Sequence, residues 1–185
     1  MNQKDYVDRI REQLGLIHLY CGDGKGKTTA SVGLAVRAKG SGLRVLFVQF
    51  LKSRQSGELG PLRDLGIEVV SGQPSGKFVF QMDEEEKAAN RIFHRQRLAD
   101  AVERSRAGID LLVLDEILGA ISTGMIDEEE LISFLRTKPP HLELVLTGRD
   151  PSEKLIECAD YISEVVMIKH PYEHSKMPAR PGIEY

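Results

Sequence analysis

The residues with the clearest chemical potential lie near the amino terminus, in Cys21-Gly22-Asp23-Gly24-Lys25-Gly26-Lys27-Thr28-Thr29. An apolar run, Leu16-Ile17-His18-Leu19-Tyr20, precedes them, and a helical pattern follows. A strand, a glycine-rich turn and a helix start, in that order, make a cradle for phosphate. Glycines let successive backbone N–H groups curl around phosphate oxygens, and the helix start adds partial positive charge. Lys27 supplies a point charge, and Thr28 a hydroxyl placed to meet a magnesium ion. The strict phosphate-loop pattern has glycine where this chain has Cys21, but Gly22, Gly24 and Gly26 surround the Lys-Thr pair. The competing reading is a glycine-rich turn with a surface lysine, which the strand–loop–helix order disfavours. A second acidic component is expected at the carboxyl end of another parallel strand. Leu111-Leu112-Val113-Leu114-Asp115-Glu116 has that form. Asp115 is the candidate metal carboxylate, and Glu116 either shares the metal or polarises a water. Arg149, in Leu146-Thr147-Gly148-Arg149-Asp150, falls on the same edge, where a guanidinium fork matches polyphosphate oxygens.

Such residues converge only if strands and helices alternate. Further apolar runs occur at Val45–Val48, Ile67–Val70, Leu111–Leu114 and Leu142–Leu146, with a less regular one from Ile162 to Ile168. Several are continuously apolar, as in strands covered on both faces. Between them lie helical segments with readable ends. One runs from Thr28 to Lys39 and stops at Gly40. Another starts at an Asp127/Glu130 capping box. A third begins at Asp150-Pro151-Ser152-Glu153. Glu84 to Arg106 carries Arg91, Arg95, Arg97, Arg104 and Arg106 among acids and reads as a solvated face. The expected fold is α/β: a three-layer, RecA-like P-loop architecture with a mostly parallel sheet of about six strands. One domain spans 1–185, with a helix in 1–14 and an irregular tail over 170–185.

Composition narrows the classes without selecting a chemistry. The 185 residues are 41% hydrophobic and 29% charged, with net charge −3, two cysteines and no tryptophan. A net negative charge gives no broad positive field for nucleic acid. No apolar run approaches the roughly 20 residues that span a bilayer. Met1-Asn2-Gln3-Lys4-Asp5 lacks a signal-peptide core, so the expectation is a cytoplasmic protein without membrane partners. Cys21 and Cys158 make neither a disulfide framework nor a metal knuckle. His18, inside the first strand, reads as a hydrogen-bonded core residue, His94 and His141 as surface positions. His170 and His174 are separated by Pro171, which argues against a helical metal pair.

From about Gly15 to Tyr185 the sequence resembles the P-loop ATP:corrinoid adenosyltransferase family. The resemblance rests on Gly22–Thr29, Arg37, Val48-Gln49-Phe50-Leu51-Lys52, Gly57-Glu58, Leu114-Asp115-Glu116, Thr147-Gly148-Arg149, Lys169-His170-Pro171 and Ala179-Arg180-Pro181-Gly182-Ile183-Glu184-Tyr185. It implies that a corrinoid Co(I) attacks the 5′ carbon of ATP, releasing tripolyphosphate, with ATP reversed relative to most P-loop enzymes. By the same resemblance, Lys27, Glu116 and Arg149 are catalytic. Thr28, Asp115 and Glu116 hold magnesium, or manganese in its place. Gly22, Asp23, Gly24, Lys25, Gly26, Lys27, Thr28, Thr29 and Arg37 bind nucleotide. Phe78 and Phe80, in a loop after the third strand, match an aromatic pair that displaces the lower axial ligand of Co(II). Alternate spacing equally suits a strand face packed on the core. An electron donor such as a reduced flavoprotein, and a homodimer, are also implied. Leu118, Ser53 and Pro178 depart from residues frequent in the family and bear on the choice of corrinoid. No Asp-x-His-x-x-Gly corrinoid-carrier segment is present. A RecA-like ATPase, in which Glu116 activates water, and a non-catalytic ATP- or corrinoid-binding module are the rival readings. A 185-residue core leaves little room for a motor's coupling domain.

Overall fold

A computed structural model describes residues 2–52 and 56–185; Ser53 lies outside the described residues. Six strands, β1 (Ile17–Cys21), β2 (Val45–Gln49), β3 (Glu68–Val70), β4 (Leu111–Asp115), β5 (Glu143–Thr147) and β6 (Tyr161–Glu164), form one sheet in the order β3-β2-β4-β5-β1-β6. Every pairing is parallel. The helices are α1 (Gln3–Arg11), α2 (Lys27–Gly40), α3 (Leu59–Asp64), α4 (Glu84–Arg106), α5 (Ile117–Ser122), α6 (Glu128–Thr137), α7 (Glu153–Cys158) and α8 (Pro171–Ser175). The last gives the 170–185 tail one short helix that composition did not reveal.

Both faces of the sheet are covered, which explains the continuous apolar runs. β2 and β4 are buried at every position. Leu46, Val48, Leu112, Leu114, Leu144 and Leu146 face one layer with Leu98, Ile117, Leu131 and Leu155. Their alternates Val45, Phe47, Leu111, Val113 and Val145 face the other, with Val7, Ala35, Ala38 and Leu62. β6 is shorter than the Ile162–Ile168 run and begins one residue earlier, and all four of its residues are exposed. It is an edge strand paired only to β1, so one ladder alone fixes its length.

Helix ends differ from the sequence reading where glycine and acidic residues were ambiguous. α2 runs through Gly40 and ends at Gly42, whose φ of 88° supplies the left-handed turn. Gly42 N–H donates to Lys39 O and Leu43 N–H to Ala38 O, a Schellman closure. Asp127 caps α6 through the Glu129 N–H, whereas Glu130 turns to Arg95 instead of closing a capping box. The box is found at α4, between Asp83 and Glu86. α7 is capped by Ser152, not Asp150. Among the described residues, no helix is long and apolar enough to cross a membrane.

Candidate nucleotide and corrinoid site

Because all strands run the same way, their carboxyl ends share one edge, and the chemistry-bearing residues collect there. The loop after β1 uses its glycines for two purposes. A Cβ on Gly22 or Gly24 would meet the Val165 carbonyl oxygen at 2.5 or 2.7 Å. These two glycines let the loop pack against the segment leaving β6, where Gly24 N–H donates to Val165 O at 2.7 Å. Gly26 has φ 122° and no atom within 4 Å of a built Cβ, so its open side faces the cavity. Met167 N–H donates to Asp23 Oδ1 at 2.9 Å, tying the loop again to the chain beyond β6.

Lys27 is 8% exposed, and its ammonium donates to Gly24 O at 2.6 Å. Burial lowers its pKa, assisted by the nearby Arg149 charge and opposed by Glu116. Lys25 lies further out and pairs with Glu184 at 2.9 Å. Arg180 also holds that carboxylate. Hydrogen bonds from Arg180 and Lys25 keep the Glu184 pKa well below the usual carboxylate range.

Asp115, fully buried at the end of β4, is the hub. Its Oδ1 accepts from Thr28 Oγ1 at 2.9 Å and from Thr147 Oγ1 at 2.8 Å. Its Oδ2 accepts from Gln49 Nε2 at 3.1 Å and from Lys52 Nζ at 3.0 Å. Gln49 is itself held by Glu58 and Ser71, and Arg97 donates to its carbonyl at 2.6 Å. Thr147 also accepts the Glu116 backbone N–H at 2.9 Å. Glu116 adopts a left-handed φ of 61° and Leu51, just before Lys52, one of 56°. Such conformations cost an L-residue roughly 1–2 kcal/mol and persist only where surrounding contacts hold them. Burial, then the Asp115 charge, raises the Glu116 pKa, while Lys52, Lys27 and Arg149 pull it back.

Above the buried Asp115, residues including Lys27, Thr28, Lys52 and Glu116 line a cavity of about 810 Å³, within the range of roughly 300–1,000 Å³ usual for small-molecule sites. Asp23 to Thr29, Lys52, Glu58, Glu116 and Arg149 form its polar floor. Val32, Met167, Tyr172, Ile183 and Tyr185 supply apolar wall from α2, α8 and the tail. Among the described residues no cluster of three His, Cys, Asp or Glu side chains is poised for a metal. Thr28 Oγ1, Asp115 and Glu116 nevertheless suit a hard cation that keeps several waters and shares substrate phosphates. The Lys52 ammonium, 3.0 Å from both Thr28 Oγ1 and Asp115 Oδ2, marks the point where they receive positive charge.

Beside this cavity runs a smaller groove. A depression of about 410 Å³ shares Lys52 and Tyr185 with the cavity and reaches Gln73, Lys77 and Phe78. A third, of about 460 Å³, continues past Phe78, Val79 and Phe80 to Lys87 and Arg91. Phe78 is 67% exposed and Phe80 83%, so neither packs on the core. They flank the start of a 3-10 turn (Val79–Gln81), not a strand, and stack with centroids 5.6 Å apart and planes 7° from parallel.

Other residues lie away from both. Arg37 is exposed on α2, roughly 15 Å along the axis from Lys27 at 1.5 Å per residue, and does not line the cavity. His94 is fully buried, contrary to the surface reading, between Phe50 and Phe93. Arg97 is buried as well, 4.6 Å above the Phe93 ring, and burial lowers its pKa to about 10. His18 is hydrogen-bonded as expected, 2.5 Å from Glu143 Oε1, but is half-buried and not a core residue. Leu118 is buried against Gly148, where a Cβ would meet it at 2.5 Å. Gln49, Lys52 and Thr147 join the site without a role that the sequence assigns them. Their only sequence signal is polarity at the end of a buried run.

The chain is similar to known proteins along nearly its whole length. The family model described as ATP:corrinoid adenosyltransferase BtuR/CobO/CobP matches residues 13–185. Corrinoid adenosyltransferase CobA of Salmonella typhimurium is 34% identical over 190 residues, covering 98% of this chain and 93% of the relative. Corrinoid adenosyltransferase of Escherichia coli K12 is 32% identical over 183 residues, covering 97% and 90%. The Pseudomonas aeruginosa protein of the same name is 27% identical over 180 residues, covering 97% and 88%. The chain belongs to the ATP:corrinoid adenosyltransferase family.

Proposed function

We propose that this protein transfers the 5′-deoxyadenosyl group of ATP to the Co(I) of a corrinoid, either cobalamin or cobyrinic acid a,c-diamide, during adenosylcobalamin biosynthesis or salvage. The observation that carries the reading is the junction of two surfaces. A phosphate cavity opens, through Lys52 and Tyr185, onto a groove bearing an exposed stacked aromatic pair. An enzyme hydrolysing only ATP has no use for such a groove.

The cobalt attacks C5′ with its electron pair, the Co–C bond forms, and the C5′–O bond breaks with its electrons leaving on tripolyphosphate. The substrate brings its own nucleophile, so the protein's tasks are alignment and stabilisation of the leaving group. The N–H groups of the Gly22–Thr29 loop bind polyphosphate oxygens. Lys27 exchanges its bond to Gly24 O for a phosphate oxygen, and Arg149 meets the same charge from the β5 edge. Asp23, Lys25 and Thr29 shape the loop's rim. Thr28 and Asp115, with Glu116 beside them, would hold magnesium or manganese, which supplies charge neutralisation for the polyphosphate. Phe78 and Phe80 contact the lower face of the corrin and exclude the axial ligand, leaving four-coordinate Co(II), which is easier to reduce. Arg37 has no direct task at the cavity in this scheme. An electron donor such as a reduced flavoprotein, a homodimer and a cytoplasmic location complete the proposal.

The test is product analysis with ATP in the presence and absence of a pre-reduced corrinoid. Tripolyphosphate formed only with the corrinoid supports the reading. ADP and phosphate formed without corrinoid would instead indicate the RecA-like ATPase, and binding without turnover the non-catalytic module.

A further inference from the structure

Lys52 is the feature the preceding scheme leaves unexplained. Its ammonium donates to Thr28 Oγ1 and to Asp115 Oδ2, each at 3.0 Å, and lies 4.0 Å from Glu58 Oε1. The Thr28 hydroxyl directs its proton to Asp115 Oδ1 and accepts from Lys52 through a lone pair. That lone pair and the Oδ2 lone pair are the ones a divalent cation would take. Leu51, immediately before Lys52, has a φ of 56°, a conformation that a leucine holds only under constraint. Asp115 is wholly buried, and a buried carboxylate requires a compensating positive charge.

We propose that Lys52 is a built-in counter-cation. It occupies the metal position while no metal is bound, keeps Thr28 and Asp115 in ligand geometry, and must withdraw when a divalent cation enters. Its withdrawal leaves it free at the junction of the phosphate cavity and the aromatic groove, both of which it lines. A protein built this way holds its metal ligands in place without metal, and binds metal weakly until polyphosphate adds further ligands. The inference rests on the metal assignment above, but not on adenosyl transfer, so product analysis and metal binding can fail separately.

The experiment is manganese binding to the nucleotide-free protein, followed by the electron paramagnetic resonance signal of free Mn²⁺. Wild type, Lys52→Met and Lys52→Arg are compared. Removing the competitor should tighten Mn²⁺ binding at least about tenfold in Lys52→Met, whereas Lys52→Arg, which keeps the charge, should bind like wild type. Thermal unfolding in chelator should show Lys52→Met destabilised, with a larger upward shift on adding Mn²⁺ than wild type shows. Affinity in Lys52→Met equal to or weaker than wild type overturns the proposal. An arm without any variant uses amine acylation read by mass spectrometry. Lys52 in wild type should become more reactive when saturating Mn²⁺ is added without nucleotide, and unchanged reactivity is contradictory.

Discussion

Replacing Phe80 with alanine separates a role in corrinoid chemistry from a role in packing. The ring is 83% exposed, and its partner Phe78 is 67% exposed. Truncation removes little buried surface and one stack in water, so the stability cost should stay near 0.5 kcal/mol. At about 2–4 °C per kcal/mol for a chain of this size, the melting temperature moves by about 2 °C or less. The functional cost should be far larger. If the ring is buried only against the corrin, it loses about 1.5–3 kcal/mol of contact, equivalent to a rate loss of about 10- to 100-fold. That energy is spent on excluding the lower axial ligand from Co(II), and Co(I) has no such ligand to exclude. The assay therefore compares kcat at saturating corrinoid for two substrates, Co(II) with an electron donor and chemically pre-reduced Co(I). Phe80→Ala should lose about 10- to 100-fold with the first and less than about threefold with the second. The visible signature of four-coordinate Co(II), formed by wild type with MgATP, should fade in parallel. Equal losses on the two substrates, or a fall in melting temperature above about 5 °C, would refute the reasoning.

Three further outcomes follow from the same contacts. Lys27→Ala should lower tripolyphosphate release by about 10²–10³-fold or more while circular dichroism stays native, since the fold loses only the bond to Gly24 O. Thr147→Val removes a buried hydroxyl that donates to Asp115 and accepts from the Glu116 N–H. Asp115 Oδ1 keeps its bond from Thr28, so only the Glu116 N–H is left unpartnered; thermal unfolding should show a loss of about 1–3 kcal/mol, and Thr147→Ser should recover most of it. His94 is buried, and that burial, helped by the Arg97 charge, lowers its pKa from 6.5 to about 4. As pH falls, an unfolded chain takes up that proton near 6.5 and the folded chain only near 4. The histidine's contribution is therefore complete above 6.5 and is lost across the interval, totalling about 3 kcal/mol at 1.36 kcal/mol per unit. Unfolding free energies from urea titrations at pH 7 and pH 4 should differ by about 3 kcal/mol less in His94→Phe than in wild type; equal differences would contradict the burial argument.

The phosphate loop, the Asp115-Glu116 pair and Arg149 were legible because each is a short segment at a strand end. Parallel pairing then places every such end on one edge. The partners of Asp115 other than Thr28 were not legible. Gln49, Lys52 and Thr147 come from β2, the loop after it and β5, and only the strand order brings them to one carboxylate. α4 misled for a related reason. Its arginines alternate with acids along the sequence, but Asn90, His94 and Arg97 fall on one stripe at helical spacing, and that stripe faces inward. Polarity there indicated solvent, whereas the fold uses Arg97 to hold the Gln49 carbonyl. The phenylalanine pair was ambiguous because a spacing of two suits a strand face. The 3-10 turn at Val79–Gln81 is what carries both rings to the surface. The sequence reading stops α2 at Gly40, whereas the Schellman closure puts the left-handed turn at Gly42.

The central claim is that C5′ of ATP ends up bonded to cobalt. ATP carrying ¹³C at C5′, incubated with the protein, a divalent cation and a pre-reduced corrinoid, tests it directly by NMR of the carbon and of the phosphorus products. The label should appear in a cobalt-bound methylene, with one tripolyphosphate released per corrinoid adenosylated. Label remaining in ADP, with phosphate accumulating whether or not corrinoid is present, would contradict it.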